Sequence, residues 1–576
     1  MSRLSTTGSI SPAKGNRSFM ARFSREKLII GAVLCITFLF FIFFLFGPLS
    51  AIFGQMFVEN SLSDYTGFDA IVYYLQSPSI LRSLWNSIWV SLAVTVIVIP
   101  LAFIFAYALT RSCMPFKGIY RSIALLPLLA PSLLSAISII YWFGNQGVAK
   151  GLWGLLGIDS IYGAPGIILA EIFAIFPHVL MILVTALSIA DQRLYEVADA
   201  MDTSRFRKFI TITIPGAKYG LVSATMVSFT LVITDFGIPK IVGGSFDVLA
   251  TDLFRMIIGQ QNFQQGSVVA MLLLVPAVLT FIVEYRLRKK QVATLSARSV
   301  RFTPKNHFLF DSLMTLYVLI IACLMLCMLL MAVYASFVSF WPYNLKLSLL
   351  NYKSVLIDNN LGKTLINSLT LAVSVASLGT LLVFVNSYLL EKTQDFGKLK
   401  QIIRMMTTLP IAIPGLVLGL GYIFFFNSPS NPLNFLYHSM AILVFCTIIH
   451  YYATSHMTMT SSLKAIDREF EAVSQSLKVP FYKTMVRITL PISLPTLVDI
   501  SRYFFINSMT TISAVIFLYS PETELAAVAI LNLDDAGDVG GSTAIAVMIT
   551  GISLVVTIIY YFIELWIRHA NKRWAN

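Results

Sequence analysis

Ile212-Thr213-Ile214-Pro215 returns 276 residues later as Ile488-Thr489-Leu490-Pro491, and each copy stands just ahead of a long apolar run. Other pieces repeat at nearly the same distance. Asn86-Ser87 comes back as Asn367-Ser368, Leu126-Pro127 and Pro131 as Leu409-Pro410 and Pro414, and Leu249-Ala250-Thr251 as Leu525-Ala526-Ala527. A period of this kind marks a duplicated unit. It divides the chain into halves at 28–295 and 308–576, with a tail at 1–27 and a basic, Ser-containing linker at 296–307.

The 576 residues are 57% hydrophobic and 12% charged, with mean hydropathy +0.79. A soluble domain carries about 25% charged residues, so a string of soluble domains is excluded. Crossing a hydrocarbon core takes about 20 apolar residues as helix. Runs of that kind are expected at 28–47, 86–109, 122–143, 165–187, 217–237, 266–285, 308–337, 365–390, 405–426, 439–460, 496–519 and 542–566. The expected fold is an all-α polytopic membrane protein of about twelve spans, six per half. Six is even, so both halves share one orientation: a parallel repeat about an axis normal to the bilayer. The first run, from Leu28 through the Phe38–Phe46 stretch, is too long for a signal peptide and has no small-residue cleavage site after it.

Alternate connections and the two termini carry 33 Lys and Arg, against 7 on the opposite side. That excess places both termini in the cytoplasm. It also accounts for the net charge of +13, so the lipid bilayer, not nucleic acid, is the expected partner. The five cysteines form no CxxC pair or metal-ligand spacing, and no disulfide, metal or cofactor is expected.

The connections at 188–216 and 461–492 are too polar to cross the bilayer, yet each reads as a short helix, a break and a second amphipathic helix. The first runs Asp191-Gln192-Arg193-Leu194-Tyr195-Glu196-Val197-Ala198-Asp199, breaks at Thr203-Ser204, and continues over 205–212 until Pro215 stops it. The second runs Asp467-Arg468-Glu469-Phe470-Glu471-Ala472-Val473, breaks around Lys478-Val479-Pro480, and continues to Pro491. One such platform is equally an interfacial helix resting on lipid. Two at equivalent places favour docking into a groove on a soluble partner.

This pattern resembles the Glu-Ala-Ala, three residues, Gly loop of permease subunits in binding-protein-dependent ABC importers, type I. In that family the loop is a coupling helix that docks on the ATPase. Glu196, Ala198 and Pro215 match in the first half, with Asp202 where the glycine belongs. In the second half Glu471 is displaced by one place, Ala472 stands at the aligned position, Lys478 replaces the glycine, and Pro491 closes the motif. The resemblance implies a homodimeric ABC ATPase subunit, a periplasmic or extracellular solute-binding protein, and a bacterial inner-membrane location. A single chain with two fused halves is similar to the ferric-iron and 2-aminoethylphosphonate branch. Thr234–Lys240, Asp247–Asp252, Gly259–Phe263 and Phe517–Asp538 are most similar to the 2-aminoethylphosphonate permeases, which makes that compound the expected substrate and ferric iron the alternative.

The chain has no phosphate-cradling loop of its own. Gly362-Lys363-Thr364 has Ile357 where the first glycine of such a loop belongs. No catalytic constellation is visible, and the protein is not expected to be an enzyme. Polar groups at membrane depth are path candidates: Asp235, Arg502, Asn507, Thr510 and Thr511, with Asp235 and Arg502 expected to supply the acid and the cation for a zwitterion. Against this stands pairing of Arg502 with Asp499. Glu171 and His178 are expected near span ends or satisfied by neighbouring helices. The rival of another class is an ion-coupled secondary carrier, with Asp235 and Glu171 as ion sites.

Overall fold

The computed structural model describes residues 14–58, 67–155, 157, 160–189, 191–294, 302–358, 361–467 and 469–575. The expected tail 1–27 and linker 296–307 therefore lie partly outside the described residues, as do Ala190 and Arg468 of the two polar loops.

The first half runs through α1 (Arg25–Gln55), α2 (Pro78–Arg111), α3 (Lys117–Leu125), α4 (Ser132–Phe143), α5 (Ala164–Ser188), α6 (Gln192–Ala200), α7 (Arg205–Thr234), α8 (Gly237–Val242), α9 (Leu249–Phe254) and α10 (Phe263–Thr294). The second half repeats the order with α11 (Phe308–Phe337), α12 (Gly362–Lys392), α13 (Gly397–Thr408), α14 (Gly415–Phe426), α15 (Met440–Ala465) and α16 (Glu469–Ser476), then α17 (residues 481–510), α18 (Ala526–Asp535) and α19 (Val539–Ala575). A ribbon of β1 (Val338–Phe340) and β2 (Asn344–Leu347) follows α11. The chain is an all-α polytopic membrane protein. Among the described residues nine helices are long and apolar enough to cross a membrane, eleven if each of two bent pairs counts as one span.

Three expectations need correction. The runs at 122–143 and 405–426 are not straight spans. Residues Lys117–Leu129 meet α4 at 103°, and Gly397–Ala412 meets α14 at 113°. Pro131 and Pro414 cause the bends, because a residue before proline is pushed out of helical conformation; Ala130 and Ile413 have ψ of 146° and 116°. The eleventh run, expected at 496–519, is a helix that ends at Thr510. It carries Asp499, Arg502 and Asn507, and is too polar to qualify as a span by composition.

Pro215 and Pro491 do not stop their helices. A proline inside an α-helix clashes with the carbonyl four residues back. Here a widened π-turn immediately precedes each one, at Phe209–Thr213 and Met485–Thr489, and lets the helix continue. As a result α7 and α17 each run unbroken from a polar loop to Thr234 and Thr510.

The halves interlock. The first helix of each packs on the other half: α1 against α14 and α13, and α11 against α3 and α4. Tyr422 donates to the Phe44 carbonyl at 2.7 Å, and Tyr317 to that of Leu101 at 2.8 Å, so the buried Tyr422 ring and the half-buried Tyr317 ring each keep a partner for the hydroxyl. Gly421 is required for this approach, since a Cβ there would sit 2.6 Å from the Pro48 oxygen, whereas one on Gly54 would meet nothing within 4 Å. Gly421→Ala is expected to lower stability by about 1–3 kcal/mol, read as the thermal unfolding midpoint in detergent. Gly54→Ala is expected to leave it unchanged or raise it by up to about 1 kcal/mol.

Candidate functional site

The two polar loops fold alike. Asp191 caps α6 by accepting from the Arg193 amide at 3.1 Å, and Asp467 accepts from the Glu469 amide at 3.0 Å. Each short helix then closes on the same turn: Thr203 N–H to the Ala198 carbonyl, and Val479 N–H to that of Ser474, both at 2.9 Å. The turn needs a left-handed residue. Asp202 (φ +50°) and Lys478 (φ +56°) supply it where the family motif has glycine, so the geometry survives the substitution at a steric cost.

Residues related by 276 positions then show the same exposure. Leu194, Val197 and Met201 lie exposed on one face of α6; Phe470, Val473 and Leu477 do so on α16. Their spacing of three and four is that of one helix stripe. Met201 is 74% and Leu477 70% exposed. Ala198 and Ser474, beside the stripe, are buried. Glu196 is exposed and accepts from Gln192 at 2.7 Å; Ala472 is exposed, as are Pro215 and Pro491. Glu471 differs from Glu196. It turns inward to Lys392 at 3.3 Å and occupies the position of Tyr195, not of Glu196.

That inward contact belongs to an arrangement the sequence reading missed. Arg111 ends α2 and Lys392 ends α12, 281 residues apart, and both are buried. Arg111 donates to the Leu187 carbonyl at the end of α5, and Lys392 to the Ile466 carbonyl just past α15, each at 2.9 Å. Cations suit these carbonyl-rich helix ends. Each then reaches the adjoining short helix: Arg111 lies 5.3 Å from the Tyr195 ring centre, and Lys392 pairs with Glu471. The 281-residue offset of Asn86 and Asn367 would have found the pair.

Residues entering the second half lie across α6. Phe302 packs on Tyr195 and under Arg111, Thr303 donates to Gln192 through its amide and its hydroxyl, and Lys305 pairs with Asp199 at 2.9 Å. Hydrogen bonds from Lys208 and Lys305 hold the Asp199 carboxyl down at about 2, so this clip stays charged throughout the physiological range.

At the opposite end the halves touch beyond α7 and α17. Lys240 pairs with Asp535 at 3.0 Å, and Phe254 stacks on Phe517 at 6.1 Å. Burial pushes the neighbouring Asp534 carboxyl up to about 6, with Asp535 adding to the rise and Lys240 opposing it. An open cavity of about 270 Å³ beside this contact is lined by Lys240, Asp247, Phe254 and Arg255 among others.

Of the path candidates, Asp235 and Thr511 hold equivalent places, ending α7 and α17 with the same backbone (φ/ψ −71°/137° and −70°/136°). Arg502 is not brought to Asp235; it pairs with Asp499 at 2.9 Å, one turn away. Asn507 and Thr510 bond to carbonyls of their own helix. Glu171 is buried against Asp235, and His178 is exposed on the outer side of α5.

Relief of the left-handed strain gives a test of the loop geometry. Asp202→Gly and Lys478→Gly are each expected to raise stability by up to about 1 kcal/mol, the steric gain being partly offset by glycine's entropy. Thermal unfolding of the single and double variants reads this; a drop in midpoint would contradict it.

The sequence profile described as "binding-protein-dependent transport system inner membrane component" matches residues 98–290 and again 387–569. The ferric transport system permease protein FbpB of Actinobacillus pleuropneumoniae is 27% identical over 542 residues, covering 91% of this chain and 77% of that protein. A putative ferric transport system permease protein of Haemophilus influenzae is 28% identical, covering 87% of this chain and 79% of its own length. The molybdenum transport system permease protein ModB of Escherichia coli is 27% identical over 158 residues, 27% of this chain and 69% of that one. A crystal structure of a bacterial ABC transporter involved in alginate import aligns with TM-score 0.40 at 18% identity, over 47% of this chain and 99% of that chain. With two profile matches that together span most of its length, this chain belongs to the family of binding-protein-dependent transport system inner membrane components, the multi-pass permease subunits of ABC importers.

Proposed function

We propose that this permease forms the translocation pathway for ferric iron. In this reading a separate homodimeric ABC ATPase docks on the loops 188–216 and 461–492, and a periplasmic solute-binding protein delivers the ion at the opposite face. Both termini then lie in the cytoplasm with the loops. The observation that carries the docking is the pair of matching apolar stripes, Leu194-Val197-Met201 and Phe470-Val473-Leu477, exposed on two short helices clamped to the body by Arg111 and Lys392. Exposed apolar faces of this kind mark protein contacts, and the spacing suits insertion into a groove.

The substrate reading favours ferric iron over 2-aminoethylphosphonate on two grounds. The two relatives alike along 87–91% of this chain carry the ferric name. The phosphonate reading used Arg502 as the cation partner of Asp235, and Arg502 is already engaged by Asp499. Two fused halves that each carry a coupling loop also favour an ATP-driven importer over an ion-coupled carrier.

Val197→Asp with Val473→Asp is expected to weaken ATPase binding by about tenfold or more, measured by copurification of the ATPase subunit, and to abolish ATP-driven ferric uptake into proteoliposomes. These positions are better probes than Glu471, whose replacement would also strip Lys392 of its partner. Uptake driven by an ion gradient with no ATPase present would instead favour the carrier.

A further inference from the structure

α11 begins beside the polar loops, where Asp311 accepts from the Cys113 amide at 2.8 Å and Arg205 meets the His307 ring. It ends at the opposite face, and no charged residue occurs between Asp311 and Lys346. Leu316, Ile320, Leu324, Cys327, Leu330 and Tyr334 are exposed along it. Their spacing of three and four makes one apolar stripe, which in a bilayer meets lipid chains. From Asp311 to Phe337 the helix rises about 39 Å. The hydrocarbon layer is about 30 Å thick, and about 40–45 Å with the headgroups. The ribbon of β1 and β2 therefore stands at the depth of the headgroups.

Two short strands by themselves are marginal in water, and these leave apolar groups open. The Phe340 and Tyr343 rings stack at 5.8 Å while remaining 64% and 75% exposed, and Leu345 and Leu347 are exposed on β2. Trp341 turns inward instead. Its indole donates to the Gln146 carbonyl at 3.1 Å and its ring meets Tyr141 edge-on. Asn351 donates to the carbonyls of Ser336 and Val338. The ribbon is thus fixed to the body on one side with its aromatic pair turned out. Gln146 donates to the Tyr343 hydroxyl at 3.2 Å, so that ring has a polar end and an apolar face, as side chains at membrane boundaries do. Lys346 beside it is exposed, and its long stem suits the same boundary.

The first half reaches the same depth with a different element. In α1, Lys27 pairs with Asp395 on the loop side at 3.1 Å, and no charge follows until Glu59. Ile36, Leu39, Phe43 and Phe46 are exposed along this helix, and Phe57 lies about 45 Å from Lys27. Phe57 meets Phe68 edge-on at 5.5 Å. Phe68 opens the short helix Gly67–Leu75, on which Val72 and Tyr73 are exposed. The two helices that cross to the opposite half therefore both lead into exposed aromatics, one through a ribbon and one through a helix. Depth, not local fold, is what the two places share.

We infer that the β1–β2 ribbon and the Gly67–Leu75 helix seat in the lipid headgroup layer of the leaflet opposite the polar loops. Continuity names lipid as the occupant, since each patch extends the lipid-facing stripe of the helix that leads into it. The crossing helices are then held at both ends, by protein contacts beside the loops and by lipid at the far side.

The test places a polarity-sensitive fluorophore on Leu347→Cys, Val72→Cys or the exposed Glu522→Cys, in a chain whose five native cysteines are replaced. Each labelled protein is held as one copy per phosphatidylcholine nanodisc. Quenching by phosphatidylcholine with a doxyl group high on its acyl chain is expected to be about threefold or more stronger at 347 and 72 than at 522, and aqueous iodide is expected to give the reverse order. Iodide quenching at 347 and 72 equal to that at 522 overturns the inference. Protection that appears only on adding a solute-binding protein also overturns it, because the patches would then be a protein docking surface. Shielding from both quenchers overturns it as well, since the side chains would be covered by the chain itself.

Discussion

Within hydrocarbon every backbone amide and carbonyl must find a partner in the protein, and this constraint fixes where the chain can interrupt its helices. The breaks at Ala130-Pro131, Thr234-Asp235, Ile413-Pro414 and Thr510-Thr511 fall at equivalent places in the two halves. Each half helps cover the other's. α19 packs on α4 and α10 on α14, while α1 and α11 cross over to the opposite half. The breaks and the exchange of first helices are therefore one arrangement: without the covering helices the broken segments would expose backbone to lipid.

The same architecture joins the polar loops to the breaks. α7 and α17 each begin at a loop and run without interruption to Asp235 and Thr511. A 30-residue helix is about 45 Å long, so displacement of a loop is carried as far as the breaks at Asp235 and Thr511. The π-turns ahead of Pro215 and Pro491 keep these levers continuous. Arg111 and Lys392 tie each short helix to the ends of the preceding spans, so a partner that moves the loop moves the bundle with it. The halves are not equal in this respect. Tyr195 and Phe302 flank the cation in the first, a carboxylate meets it in the second, and only the first carries the acidic pair at its break.

The duplication, the helical class and both loops were legible in the sequence, because apolar run length and recurrence at a fixed offset report them directly. Bending was not. Leu126-Pro127 and Pro131 were recognised as repeated, but length and composition alone do not separate a sharp 103° bend from a straight crossing. The stop expected at Pro215 followed a sound local rule that a π-turn overrides. Glu471 reads as the motif's glutamate displaced by one place, and that shift puts it at the position of Tyr195, which explains its inward turn. Arg111 escaped notice because a basic residue at the end of a span is also what membrane orientation alone produces.

In the proposed reading, the halves part at the face opposite the loops when a docked ATPase draws the loops together. Lys240 and Asp535 bridge the halves there at 3.0 Å. The direct measurement is ferric uptake into proteoliposomes by Lys240→Cys with Asp535→Cys, in a chain whose five native cysteines are replaced, before and after a short cleavable thiol crosslinker joins the two positions. Crosslinking is predicted to stop uptake while the ATPase subunit stays bound, and cleavage to restore it. Full uptake by the crosslinked protein would contradict the account.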